Sequence, residues 1–331
     1  MKILLIFTGG TIGSTCRNNV ISTSENKPKV ILEAYKNKYG INFDYTTEEP
    51  YTELSENITG KHLKLLTNCV CKNLKSGFDG IIVTHGTDTI QYSAAALGYA
   101  IGLDSIPICI VSANRPVENP RSNALDNLHA AVKFIEQNLG RGVFVPYKND
   151  NDTVVKVHRA TRLLPSRPFS DEVVSIYDQI YGEFDIDFKY HKNPDYREAT
   201  DGIPPLDIEK INDYSYSILF ISPYVGMQYP ILPDTIKYTI LSSYHSGTVN
   251  TKDKNAIEFF LALKKRGVKT FITGVDRSAI YESATFFNDL SIIPLKCISP
   301  IAAYVKLWML SCQGKDPVRY LNESLGADIV P

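Results

Sequence analysis

The chain has 331 residues, 44% of them apolar, which suits roughly two domains of about 100–200 residues with sizeable cores. Its 35 basic and 36 acidic residues leave a net charge of −1 without a basic block, which disfavours nucleic acids and anionic membranes as partners. The apolar start ends at Thr8, too early for a signal peptide, and no stretch approaches the roughly 18 apolar residues of a membrane span. We therefore expect a cytoplasmic protein.

The first half of the chain alternates short apolar runs with amphipathic segments. The pattern predicts strands over 3–7, 80–83, 107–111 and 142–146. Helices are predicted over 29–39, 60–74, 89–101 and 124–137. Strands that alternate with helices indicate βαβ units and a mainly parallel sheet.

The pattern breaks over 150–213, where we expect a long connection with a hairpin and an interdomain linker. Alternation then resumes, with strands predicted over 217–221, 239–241 and 268–272 and helices over 230–237, 255–266 and 301–312. The predicted fold is α/β with two domains. A larger N-terminal domain with a mainly parallel sheet flanked by helices spans 1–195, a linker spans 196–214, and a smaller α/β domain spans 215–331.

Two short runs carry the chemistry, and each follows a predicted strand. The first is Thr8-Gly9-Gly10-Thr11-Ile12-Gly13, and the second is Thr84-His85-Gly86-Thr87-Asp88-Thr89. The carboxyl ends of strands are where open α/β sheets bind ligands. A threonine hydroxyl beside free backbone N–H groups can act as a nucleophile with an oxyanion site, and a carboxylate can hold a substrate ammonium. Ordinary turns, with Asp88 as a helix N-cap, are the alternative interpretation.

Taken together, the two runs resemble the signatures of the bacterial-type L-asparaginase family. Ser112-Ala113-Asn114-Arg115-Pro116 and Pro223-Tyr224-Val225-Gly226-Met227 extend the likeness over nearly the whole chain. The resemblance implies an asparaginase-like fold and hydrolysis of an amino-acid amide to carboxylate and ammonia through an acyl-enzyme. It also implies a homodimer or homotetramer with a small-molecule substrate and neither metal nor organic cofactor.

By the same resemblance, Thr11 is the nucleophile, and Thr87 with Asp88 forms a second catalytic group. The implied substrate-binding residues are Gly10, Ser55, Glu56 and Gly86. Glu56 stands where glutamine or serine is more usual, and its charge favours an ammonium over a carboxylate. For Ser55, capping the helix that starts near Thr59 is an equally good interpretation.

The chain departs from the family pattern at the lysine that accompanies the second threonine and its aspartate. Alignment of the segment His158-Arg159-Ala160-Thr161-Arg162-Leu163-Leu164-Pro165 puts Pro165 at the lysine position, and a shifted register puts Arg162 there. Neither side chain is a proton shuttle at neutral pH. Lys148 or Lys156 could reach in from elsewhere in the sequence.

A second departure lies in the loop after Thr11, which lacks the family's tyrosine. The loop offers the hydroxyl of Ser22 or Thr23 in its place, with Cys16 as an alternative nucleophile.

Three functions follow from these observations. The first is an active amide hydrolase, and the second is a catalytically weak protein that binds or senses an amino acid. The third, the amide-hydrolysing component of an amidotransferase, is disfavoured because an extra N-terminal domain and a basic surface are missing from the sequence.

Overall fold

The computed structural model of the protein describes residues 1–10, 12, 14–17, 20–23, 27–275 and 281–331. The strands of this part are β1 Lys2–Phe7, β2 Ser14–Arg17, β3 Val20–Thr23, β4 Asp44–Glu48, β5 Gly80–Thr84, β6 Pro107–Val111, β7 Gly142–Tyr147, β8 Val155–Arg159, β9 Gly182–Phe184, β10 Tyr190–Lys192, β11 Ile218–Ile221, β12 Tyr238–Ser242, β13 Lys269–Thr273 and β14 Ile292–Pro294. The α-helices are α1 Lys27–Tyr39, α2 Gly60–Asn73, α3 Ile90–Ile101, α4 Ala124–Glu136, α5 Lys254–Lys265, α6 Pro300–Cys312 and α7 Pro317–Tyr320.

An eight-stranded sheet has the order β10-β9-β8-β7-β6-β5-β1-β4. Pairing is parallel from β4 to β7 and antiparallel from β7 to β10. From β1 the chain crosses through α1 to β4, whereas from β5 it crosses through α3 to β6, in the opposite direction. The strand order therefore reverses between β1 and β5. Beyond the carboxyl ends of such a strand pair lies the crevice in which open α/β sheets bind ligands.

Both faces of the large sheet are covered, because alternate residues of each buried strand point to opposite sides. In β1, Ile3, Leu5 and Phe7 pack in one cluster with residues of α1 and α4. Leu4 and Ile6 pack in another cluster with residues of α2 and α3. A continuously apolar strand is what a parallel strand with two covered faces requires. The α/β fold class predicted from the sequence is confirmed.

A small parallel sheet has the order β11-β12-β13-β14. Helix α6 joins it to α3, which covers the large sheet, since a single apolar cluster contains Tyr99 of α3, Ile240 of β12, Phe271 of β13 and Trp308 of α6. The two sheets are therefore connected through helices packed between them. The division into 1–195, 196–214 and 215–331 stays a prediction.

Most predicted elements occur with their bounds shifted by one or two residues, but the helix predicted over 230–237 is wrong, because this segment is irregular. Pro233 disfavours the α conformation at Leu232. Ile231 is 98% exposed, while Leu232 and Ile236 pack against the core from irregular backbone.

The stretch 150–213 contains the expected hairpin, formed by β9 and β10, and also β8, which the sequence pattern does not predict. Strand β4 is likewise unpredicted, because its sequence is polar and its place depends on pairing with β1. Within the described residues, no helix is both long and apolar enough to cross a lipid bilayer.

Candidate active site

The register of the large sheet brings the two signature turns side by side. Phe7, the last residue of β1, pairs with Thr84, the last residue of β5. The chain leaves both strands at the same level, and the buried Thr8 hydroxyl donates to the Thr84 carbonyl at 2.6 Å. This bond fixes the beginning of the first turn against the end of β5.

The turns then pack backbone against backbone at Gly10 and Gly86. Gly10 has φ of +76°, and a Cβ on it would lie 2.5 Å from Gly86 Cα. A side chain at Gly10 is therefore excluded both by conformation and by space. A Cβ on Gly86 would lie 2.5 Å from both Cβ and Oγ of Ser55, which approaches from a third segment. Three segments far apart in sequence thus converge on one point.

Ser55 connects this point to Asp88. Its hydroxyl is buried and donates to Asp88 Oδ2 at 3.2 Å, while its carbonyl accepts from Thr89 Oγ1 at 2.8 Å. Helix α2 begins at Gly60 with Thr59 as N-cap, so the interpretation of Ser55 as the cap of this helix is wrong. Ser55 instead opens a single 3-10 turn, Ser55–Asn57, whose exposed neighbour is Glu56.

Asp88 lies one residue ahead of Thr89, the N-cap of α3, so the interpretation of Asp88 as that N-cap is also wrong. Its side chain is exposed, and within the described part of the chain it forms no ion pair. Thr87 is half-buried, and its carbonyl is the acceptor of a long bond of 3.4 Å from Ser166 Oγ. The structure thus brings together Gly10, Gly86, Ser55, Thr87 and Asp88.

Thr11, the predicted nucleophile, lies outside the described residues, as do the side chains of Cys16, Ser22 and Thr23. The roles assigned to these four residues stay predictions.

His85, inside the second signature, is a buried part of the turn. Its Nδ1 lies 2.8 Å from the Gly86 carbonyl, and because a carbonyl only accepts, Nδ1 is the protonated nitrogen. Burial lowers the pKa of this imidazole, so it is neutral. The His85 carbonyl accepts from the buried Ser112 hydroxyl at 2.7 Å. These bonds hold the turn that carries Thr87 and Asp88.

The segment expected to carry the family lysine approaches the site with a hydroxyl. Ser166 directly follows Pro165, and its Oγ lies 3.4 Å from both the Thr87 carbonyl and Gln91 Oε1. Sequence reasoning did not single out Ser166, although its place next to the lysine position was a signal for it. Pro165 itself supplies no titratable group.

Arg162 is not a replacement for the lysine, because it is fully buried and bound to the C-terminal tail. Its Nε donates to the Ala327 carbonyl at 2.7 Å, and Nη2 donates to the Arg197 carbonyl at 2.8 Å. Lys148 and Lys156 are also engaged elsewhere, in ion pairs with Asp126 and Asp152. The expectation that either lysine could reach the site is therefore wrong in this structure.

The electrostatic surroundings of Asp88 include the carboxyl group of Asp171. Burial raises the pKa of Asp171 and the charge of Asp150 raises it further, whereas Arg115 lowers it and Asp88 has the smallest of these effects. Asp150 is neutralised by Arg115, whose Nη2 lies 3.1 Å from its Oδ2. Asp88, exposed and without an ion pair in the described part of the chain, is therefore the carboxylate available to a cationic group on a ligand.

Among the described residues, no group of His, Cys, Asp and Glu side chains could hold a metal ion.

The hydroxyls of Thr8, Thr89 and Ser112, which the sequence analysis left without roles, position the two turns through the bonds given above.

The curated proteins that resemble this chain include amidotransferase subunits. A glutamyl-tRNA(Gln) amidotransferase subunit of Pyrobaculum aerophilum is 34% identical over 163 residues, which is 49% of this chain and 39% of that protein. The protein of the same name from Pyrococcus abyssi is 26% identical over 329 residues, or 93% of this chain and 72% of that protein. The chain thus matches less than two thirds of the length of the Pyrobaculum relative.

Two solved structures resemble the whole chain. The thermostable L-asparaginase from Thermococcus kodakarensis has a TM-score of 0.79 with 20% identity and covers 100% of both chains. L-asparaginase I from Vibrio cholerae has a TM-score of 0.77 with 19% identity and covers 100% of this chain and 99% of its own. At this identity the likeness concerns the fold. The family model for the N-terminal part of asparaginase matches residues 2–180, which is more than half of the chain, so this protein belongs to the asparaginase family.

Proposed function

We propose that this protein hydrolyses the side-chain amide of asparagine, or a related amide, to carboxylate and ammonia through an acyl-enzyme on Thr11. The observation that carries the proposal is the contact of the two signature turns: Gly10 packs on Gly86, and Ser55 bonds to Asp88 at 3.2 Å. In sequence Thr11 follows Gly10 directly, so the nucleophile belongs to the turn that touches Gly86.

In the proposed reaction the Thr11 oxygen attacks the amide carbon, and backbone N–H groups of the turns stabilise the oxyanion. The amide nitrogen gains the proton that the Thr11 hydroxyl gives up and leaves as ammonia. Water then adds to the ester carbonyl, returns a proton to Thr11 and releases the acid. Asp88 holds the substrate ammonium, with its carboxylate oriented by Ser55.

This mechanism needs groups that move protons between Thr11, the leaving nitrogen and water. Within the described part, the side chains near Thr87 and Asp88 provide the Ser166 hydroxyl but no ammonium group. The loss of one member of a catalytic group that acts as a unit can lower a rate by orders of magnitude. A protein that binds an amino acid with little turnover is therefore the alternative function.

A second candidate function is hydrolysis of glutamine as a subunit of an amidotransferase. It is favoured by the names of the curated relatives, glutamyl-tRNA(Gln) amidotransferase subunits, one of which aligns over 93% of this chain. The homodimer or homotetramer implied by the family resemblance stays a prediction that light scattering would test.

The test is ammonia release by the purified protein from asparagine, glutamine and simple amides, together with calorimetric binding of the same compounds. We expect release by the native protein and none by Thr11→Val. Thr67→Val is the matched control, because the Thr67 hydroxyl is buried and has no partner among the described residues. Equal release by Thr11→Val would remove Thr11 from its proposed role. Binding without release by the native protein would support the alternative function.

Pro165→Lys tests whether the missing family lysine limits turnover. If the missing lysine limits turnover, this variant releases ammonia faster than the native protein, with an unchanged affinity for the amino acid. Arg162→Lys is its control, since Arg162 is bound to the tail and a lysine there has no path to Asp88. A gain in the Arg162→Lys variant alone would show that the register of the alignment is wrong.

A further inference from the structure

A cavity of about 470 Å³ borders the candidate active site at Thr89 and lies between α2 and α3 on one side and α6 with the segment before β11 on the other. This volume is within the range of small-molecule sites, which occur preferentially where two parts of a fold meet. Its wall contains five aromatic side chains and one charged group: Tyr92, Tyr214, Tyr216, Tyr304, Trp308 and Asp213.

The rings that line the cavity are set at different angles to one another. Tyr92 and Tyr304 are 6.1 Å apart with their planes at 83°, and Tyr304 and Trp308 are 5.9 Å apart at 47°. On the outer side Tyr214 and Tyr216 are 5.7 Å apart at 60°. Several aromatic rings around one cavity are the composition of an aromatic cage, the kind of site that recognises quaternary ammonium ligands.

The charge of the cavity favours a cation. Asp213 is the only charged residue in the described lining, and no lysine or arginine lines it. Burial raises the pKa of both Tyr92 and Tyr304, so their hydroxyls stay neutral. A carboxylate beside several aromatic faces is complementary to a positively charged group with an apolar surface.

The cage is held in place by bonds on both sides. The Tyr304 hydroxyl lies 2.6 Å from Ser215 Oγ, which ties α6 to the segment before β11. The Asp213 carbonyl accepts from the Gly60 N–H at 3.0 Å, which ties the same segment to α2. Such contacts reduce the ordering that a ligand would have to impose.

We propose that this aromatic cavity is a binding site for an organic ammonium cation. The ligand's ammonium group lies against the rings of Tyr92, Tyr304 and Trp308, with Asp213 as its counter-charge and Tyr214 and Tyr216 at the entrance. This proposal is independent of the proposed amide hydrolysis.

Trp308 makes the proposal measurable, because it is the only tryptophan of the chain and it lines the cavity. The probe is choline, titrated against the tryptophan fluorescence of the full protein, with sodium chloride at matched concentration. The ligand control is the uncharged analogue of choline in which carbon replaces the quaternary nitrogen. We expect a saturable change with choline and a much weaker one with the analogue.

Tyr214→Leu tests the cage without disturbing the core, because Tyr214 is 57% exposed. We expect it to weaken choline binding about 2- to 5-fold, the range of a cation–π contact at an exposed site. Tyr224→Leu is the matched control, equally exposed at 57% but outside the cavity lining. Asp213→Asn should weaken binding most at low salt, where exposed charges are least screened.

Asp88→Asn separates this cavity from the candidate active site, which also suits an ammonium. Choline binding that survives in Asp88→Asn supports the proposal, and binding that is lost there assigns the cation to the active site and overturns it. Equal responses to choline and its analogue would mean an apolar pocket without cation selectivity and would overturn it too. Fluorescence unresponsive to choline, as expected if a second copy of the chain fills the cavity, would also overturn the proposal.

Discussion

Substitution of Gly86 by alanine tests whether the two signature turns and Ser55 are packed as described. Gly86 does not have a positive φ, so alanine is compatible with its backbone conformation. The obstacle is space alone, since the new Cβ would lie 2.5 Å from both Cβ and Oγ of Ser55. Non-bonded carbon atoms settle at about 3.5–4.0 Å, so Ser55 must move by about 1 Å.

That movement has two costs. Overpacking of a filled site typically lowers the free energy of unfolding by about 1–3 kcal/mol. The bond from Ser55 Oγ to Asp88 Oδ2, now 3.2 Å long, stretches beyond hydrogen-bonding distance. Because Asp88 is exposed to water, we count the loss of this bond as about 1 kcal/mol. The expected total for Gly86→Ala is therefore about 2–4 kcal/mol.

Urea unfolding of a double-mutant cycle measures this effect. Ser55→Gly removes both atoms that the new Cβ meets, at a cost of about 1–2 kcal/mol for the lost bond and the freer backbone. In the double variant the clash is absent, so its stability should be close to that of Ser55→Gly alone. The expected coupling energy therefore has the magnitude of the Gly86→Ala cost, about 2–4 kcal/mol.

The control for the cycle is Gly202→Ala, an exposed glycine whose added Cβ would meet the Glu323 carboxylate, the end of an exposed side chain, at 3.0 Å. We expect it to change stability by less than about 0.5 kcal/mol. If Gly86→Ala were as stable as the native protein, or if Ser55→Gly restored nothing, the close contact between these segments would be refuted.

Two further predictions concern stability. Burial lowers the pKa of His158 to about 3, so below about pH 6.5 the unfolded chain binds a proton that the folded protein excludes. The free energy of unfolding should therefore fall by about 2 kcal/mol on this account between pH 7 and pH 5, and urea titrations should give a correspondingly smaller fall for His158→Gln; an identical fall would contradict the burial of a neutral histidine. Lys306 and Asp328 form a fully buried ion pair at 2.8 Å, so Lys306→Met should cost about 3–5 kcal/mol, whereas Lys38→Met, from a pair whose lysine is 48% exposed, should cost less than about 1 kcal/mol. Equal losses in thermal unfolding would contradict this contrast.

Much of the fold could be predicted because the signal lies in local patterns. The run Ile3–Phe7 is apolar at every position, as a strand covered on both faces requires, and the alanine-rich segment after Thr89 is apolar all round, as a buried helix requires. Strand β4 could not be predicted in this way, because its residues are polar and its place is set by hydrogen bonds to β1, its distant neighbour in sequence.

The sequence by itself determined the fold class, the two turns and their likeness to the asparaginase family, because glycines and hydroxyl residues at the ends of apolar strands are local features. Only the tertiary structure decided which side chains meet. The register of β1 and β5 places Gly10 on Gly86, the turn before α2 brings Ser55 to Asp88, and the C-terminal tail binds Arg162. Such contacts join residues far apart in the chain, so their distances depend on how the strands pair and the helices pack, which no local pattern specifies.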